Sequence, residues 1–146
     1  MRLSLFATIA LTACALCAAD RPEFSGTWKL DSGASSGEAS SWASLSVARK
    51  GQWFRMAQND KDGRVIREFE GECKADGRFH PIAGGEGGSI ACKWEGQTLI
   101  TRQHWDNDRN ERSIRTMLGP DGKLVQDIHE TTASGNHDSH LVWTRE

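Results

Sequence analysis

Apolar and polar residues alternate with a period of two in several short stretches of this chain. Leu45 and Val47 fall on one face, as do Ile90, Cys92 and Trp94, then Leu124, Gln126 and Ile128, then Leu141, Trp143 and Arg145. Such alternation marks strands with one face turned inward. Turn-forming residues interrupt it at Lys50-Gly51, Asp62-Gly63, Asp76-Gly77, Glu95-Gly96, Asp106-Asn107, Asp121-Gly122 and Ser134-Gly135-Asn136. Three of these are Asp-Gly, the pair that supplies positive φ in tight hairpins. The pattern predicts strands at 24–30, 43–50, 52–58, 64–73, 89–94, 98–105, 111–118, 123–131 and 139–145, with a short extra strand at 78–82. No helical period extends beyond two turns. Short turns join neighbours throughout, so the fold class is all-β: a single antiparallel up-and-down barrel of 8–10 strands. Two segments stand apart. Residues 31–41 are rich in Gly, Ala and Ser and read as a flexible loop or one loose helical turn, and the Gly84 to Gly88 run reads as a mobile loop tip.

The first 19 residues do not belong to this pattern. Arg2, an apolar run from Leu3 to Leu16 and the small Cys17-Ala18-Ala19 read as a secretory signal peptide, too short to remain as a membrane span. A second reading uses Leu11-Thr12-Ala13-Cys14, which resembles the bacterial lipobox and would anchor the domain through a lipid on Cys14. Both readings export the domain at 20–146, to the periplasm or beyond. Removing 19 of 146 residues leaves 127, enough for one domain, and takes only the charge of Arg2, so the net charge moves from −2 to −3. That mild acidity, with no basic stripe, excludes nucleic acid as a partner. The apolar share falls to about 31%, low for a globular domain. Six Trp residues, at 28, 42, 53, 94, 105 and 143, must then carry much of the core, which suits a small closed sheet with some polar groups inside.

Cys14 and Cys17 lie in the leader, leaving Cys73 and Cys92 as an even pair in an exported chain. One disulfide is the simplest reading, and two buried thiols the other. A bridge closing a loop of about 20 residues stabilises by roughly 3 kcal/mol.

Gly26-Thr27-Trp28 in the first strand, followed by a polar loop and a meander, resembles the signature of the lipocalins and the wider calycin superfamily. "FSGTWKLD" with Asp-Gly hairpins is similar, more narrowly, to small exported bacterial lipocalin-like proteins. The resemblance implies that Gly26 and Trp28 begin the barrel, with Trp28 plugging its closed end against a basic residue of the last strand, here Arg145. Physical logic agrees. One large ring can stop the narrow base of a small barrel, and a guanidinium stacked on it adds roughly 0.5–2 kcal/mol. Gly26 lets backbone approach closely at the closure. The middle lipocalin motif and tyrosine are absent and the strand count is nearer nine or ten, which leaves a fatty-acid-binding-type barrel or an open sandwich as alternatives.

Barrels of this size hold one small molecule in the interior or mouth. Arg67, Arg102 and Arg115 lie among apolar strand residues and would favour an anionic head group if turned inward. Turned outward, they would pair across strands with Glu68, Glu70 or Glu130. Trp53, Phe69 and Trp105 are the aromatic candidates for a ligand wall, with ordinary core as the alternative. His129, His137 and His140 are the residues that could gather round a metal, although His137-Asp138-Ser139-His140 reads better as a solvated polar turn. His80 and His104 have no evident partner in the sequence. No nucleophile elbow, phosphate loop or lone exported cysteine is present, so neither catalysis nor a cofactor is expected. The sequence thus predicts an exported, non-catalytic barrel holding a small hydrophobic or amphipathic molecule. The alternative is a filled barrel that recognises another protein, as an inhibitor or an envelope-structural component.

Overall fold

Gly26 opens the first strand at φ +133°, where a side chain is strained, and a Cβ there would meet an Arg145 guanidinium nitrogen at 3.3 Å. From that point the computed structural model follows an antiparallel meander. It describes residues 20–37, 42–68, 72–82, 87–106 and 110–146, with backbone alone at 66–68. The strands are β1 (Gly26–Leu30), β2 (Ser44–Lys50), β3 (Trp53–Asn59), β4 (Val65–Glu68), β5 (Cys73–Lys74) and β6 (His80–Pro81). They continue with β7 (Gly88–Glu95), β8 (Thr98–Trp105), β9 (Glu111–Leu118), β10 (Leu124–Thr132) and β11 (Gly135–Arg145). Their hydrogen-bonded order is β4-β3-β2-β1-β11-β10-β9-β8-β7-β6, with β5 also on β3, and no helix occurs among the described residues. The fold is therefore an all-β, antiparallel, nearly closed barrel. The leader, Cys14 included, lies outside the described residues.

The first strand joins the last. Trp28 stands opposite Arg145, Lys29 opposite Thr144 and Leu30 opposite Trp143. The remaining seam lies between β3–β5 and β6–β7, where a covalent tie and a backbone hydrogen bond cross among the described residues. A disulfide joins Cys73 of β5 to Cys92 of β7, and Gly77 N–H donates to the Cys92 carbonyl at 2.7 Å.

Of the predicted strand at 64–73 the structure describes β4 and β5, both paired with β3, and 69–71 lie outside the described residues. One predicted element differs. The last strand begins at Gly135, not 139. Thr132 pairs with Gly135 around a two-residue turn, so Asn136, His137 and Asp138 run opposite Thr131, Glu130 and His129. The expected polar turn at 137–140 is therefore strand. Its polarity is tolerated because Asp138 and His140 face water and pair with β10 side chains.

Registers define the core as rungs across β8, β9, β10 and β11. Nearest the closed end are Leu118, Leu124 and Trp143; next come Leu99, Thr116, Gln126 and Leu141; then Thr101, Ile114, Ile128 and Ser139; then Gln103, Arg112, Glu130 and His137. From β7, Trp94, Cys92 and Ile90 join them opposite Leu99, Thr101 and Gln103. Leu45, Val47, Phe54, Met56 and Gln58 of β2 and β3 fill the far wall. The interior thus grades from apolar at the floor to polar at the opposite end.

Candidate ligand-binding site at the barrel mouth

At the floor Trp28 is fully buried, its Nε1–H donates to the Phe24 carbonyl at 2.9 Å, and Arg145 lies 4.4 Å from its ring centroid. The guanidinium also donates to the Ser25 and Glu23 carbonyls at 3.0 and 3.2 Å. The indole, the last strand and the segment preceding β1 are thereby held as one plug. Above it the packing is close. The void lined by Phe54, Met56, Ile90, Leu99, Thr101 and the disulfide measures only about 10 Å³.

Polar side chains enter in the next layers. Gln126 is wholly buried, accepts from Trp143 Nε1 at 3.1 Å and donates to Thr116 Oγ1 at 3.4 Å and Met56 Sδ at 3.8 Å. Gln58, Thr101 and Gln103 are buried too. A buried amide is tolerated when its donors and acceptors are met, and Gln126 meets this condition.

The upper rung carries charge. Arg112 donates from Nε to Glu130 Oε1 at 2.6 Å and from a terminal nitrogen to Gln103 Oε1 at 3.3 Å, and its guanidinium lies 5.2 Å from the Trp105 centroid. Both members of the ion pair are largely buried. The inward arginine is thus held by a carboxylate, an amide and an indole, the fork of donors matching the Glu130 carboxylate.

Among the sequence candidates, Trp105 shares the inward phase of Gln103 and flanks this rung. Arg102 and Arg115 face outward, so the expectation that either reaches an interior ligand is corrected. Strand alternation assigns the inside to Gln103, Ile114 and Thr116 instead, and Arg115 approaches Glu95 at 4.0 Å. Trp53 alternates with the buried Phe54 and lies half-buried on the outer surface, with Lys74 Nζ 5.9 Å and His80 6.0 Å from its ring centroid, so it does not line the interior. Phe69 and the Arg67 side chain lie outside the described residues, as do the Glu68 side chain and Glu70. The sequence reading missed Arg112, Glu130, Gln103 and Gln126. The signal was available, since Arg112 is in phase with Ile114 and Thr116, whereas Arg115 is not.

The histidines separate. His129 and His140 occupy adjacent rungs on the outer face, each on its own aspartate, whereas the exposed His137 stands opposite Glu130 and contacts Ser134 Oγ at 3.4 Å. Among the described residues no three His, Cys, Asp or Glu side chains are placed to hold a metal. His80 and His104, which lacked partners in the sequence, lie beside carboxylates: His80 Nε2 is 3.0 Å from Asp76, and His104 Nε2 is 3.4 Å from Asp106. The backbone N–H of Arg78 and then His80 hold the Asp76 carboxyl down at about 2.

The described residues thus form an antiparallel, nearly closed barrel with a plugged floor and a polar upper rung. The chain is similar to the zebrafish ileal bile acid-binding protein complexed with cholic acid, with 16% identity and a TM-score of 0.57 over 84% of this chain and 98% of that one. It is similar as well to the fluorescent protein UnaG, with 18% identity and a TM-score of 0.55 over 84% and 97% of the two chains. Identity this low establishes the shared fold alone. No family model and no curated protein matches the sequence.

Proposed function

We propose that this chain is an exported, non-catalytic binding protein that holds one small amphipathic molecule in the mouth half of its barrel. The observation that carries the reading is the inward Arg112, set among Glu130, Gln103 and Trp105 above an apolar floor. A polar or anionic head would bond to Arg112 and Gln103 while an apolar body lies against Ile128, Ile90 and Trp105. The closely packed floor limits how deep the body reaches. The similarly folded zebrafish ileal bile acid-binding protein, complexed with cholic acid, lends support from outside the chain. Export follows from the leader, with simple cleavage near Ala19 or lipidation at Cys14 as its two forms.

A filled barrel that recognises another protein is favoured by one specific observation, the 10 Å³ void beneath the polar rungs. Native mass spectrometry after incubation with cholate and with dodecanoate separates the two readings. One bound molecule per chain supports carriage. A chain that stays empty with both, and with whatever accompanies it through purification, supports the filled barrel.

A further inference from the structure

The sequence has no basic stripe, yet the fold gathers cations that lie far apart along the chain. On the outer face at the floor end, Lys50 of β2, Trp53 of β3 and Lys74 of β5 stand in one cross-strand row. Arg55 stands in the next row, opposite Ala48. Lys74 Nζ lies 5.9 Å from the centroid of the half-buried Trp53, so cations and an indole share one patch. Lys50 is exposed and makes no ion pair among the described residues, whereas Lys74 approaches Asp76 at 3.6 Å. The row borders a groove of about 130 Å³ lined by Arg49, Lys50, Trp53, Arg55 and the carboxylate Glu72. Segments 20–25, 49–55 and 72–78, which form this corner, carry six cations against four carboxylates, in a chain whose net charge is −2. Other cations near the floor are matched: Lys93 meets Glu95 at 2.6 Å, and Arg115 approaches the same residue at 4.0 Å.

We propose that this corner docks on a bilayer of anionic phospholipid. Lys50 and Lys74 face the phosphates, Arg55 adds its charge from the next row, and Trp53 sits at head-group level, where amphipathic rings settle. The proposal rests on the export reading and is independent of what the barrel holds. Where the chain enters the fold favours a membrane over a soluble partner. The segment that begins at Asp20 lies at this same end, since Arg21 is 5.5 Å from the Trp94 centroid and Glu23 meets Arg49 at 3.9 Å. Cys14 precedes Asp20 by six residues, so a lipid there would hold the corner within about 20 Å of the bilayer. Docked this way, the barrel stands floor-down, its mouth turned to the aqueous phase.

The test uses the full chain with Cys14→Ser in every arm, so that no acyl chain contributes. Vesicles of phosphatidylglycerol and phosphatidylcholine in equal parts are compared with vesicles of phosphatidylcholine alone. The readout is the excess of chain sedimenting with the anionic vesicles over the neutral ones. That excess should be present and should fall as salt screens the charges. Lys50→Gln with Lys74→Gln should weaken the anionic partition about tenfold to thirtyfold, roughly fivefold for each cation. Lys61→Gln with Arg64→Gln, exposed beside the β3–β4 turn at the mouth, should leave it unchanged. Equal thermal melts show that both variants fold. No excess on the anionic vesicles, or equal loss in the mouth variant, overturns the proposal. A dimer that the Lys50 and Lys74 substitutions dissociate, with no vesicle excess, would assign the corner to a second copy and overturn it as well. Cholate binding inside the barrel is measured separately and stands or falls without it.

Discussion

Trp28 concentrates several duties in one side chain: it fills the floor, bonds to Phe24 and receives Arg145 on its ring. Truncating it opens a large void and releases the last strand, so Trp28→Ala should destabilise the fold by about 3–5 kcal/mol in urea unfolding. At the other end, Arg112 can be told from Arg115 only by phase. Ile114 lies between them, and Arg112, two positions from Ile114, shares its inward face, whereas the adjacent Arg115 does not. That distinction was legible in the sequence once Ile114 was taken as core. The Glu130 partner was not, because it depends on the β9–β10 register. Asp76 gives a residue-scale dependence on pH. Its carboxyl sits at about 2, below the ordinary 3.8, so the folded state binds fewer protons there than the unfolded chain. The stabilisation is present above about pH 4 and lost as pH falls toward 2. Thermal melts should separate wild type from Asp76→Asn at pH 6 and converge near pH 2.

At the scale of elements, the hairpins were legible because Asp-Gly and Glu-Gly pairs fix where strands end. The structure keeps β8 and β9 at 98–105 and 111–118, as predicted. Which part of β3 each of β4 and β5 pairs with was not legible, since residues 64–73 read as one run and pairing is set by register. The start of β11 was missed because His137, Asp138 and His140 look like loop residues until β10 supplies their partners. The disulfide joins elements that hydrogen bonds scarcely connect. Cys73→Ser with Cys92→Ser should therefore cost about 2–5 kcal/mol. Hydrogen exchange should rise first in β5, β6 and β7, while β9, β10 and β11 stay protected; uniform loss of protection would contradict the assigned seam.

Over the whole molecule, polarity follows the axis: an indole and leucines at one end, amides between, an ion pair at the other. A chain with few aliphatic residues can close a barrel this way because its buried amides find partners, Gln126 in Trp143 and Thr116 and Gln103 in Arg112. The same gradient would give direction to the proposed ligand, its apolar body against Ile128 and its head at Arg112. The proposed export, by leader cleavage or with a Cys14 lipid, belongs to this scale too. Mass spectrometry of the protein purified from its membrane and soluble fractions should find an N-terminus after Ala19 or a diacylated Cys14.

Calorimetric titration with cholate, comparing wild type with Arg112→Gln, tests the central claim most directly. The account predicts saturable binding of one molecule per chain, weakened about tenfold to a hundredfold in the variant, the range expected for losing a hydrogen bond to a charged group. Absence of saturable binding, or affinity indifferent to Arg112, would contradict it.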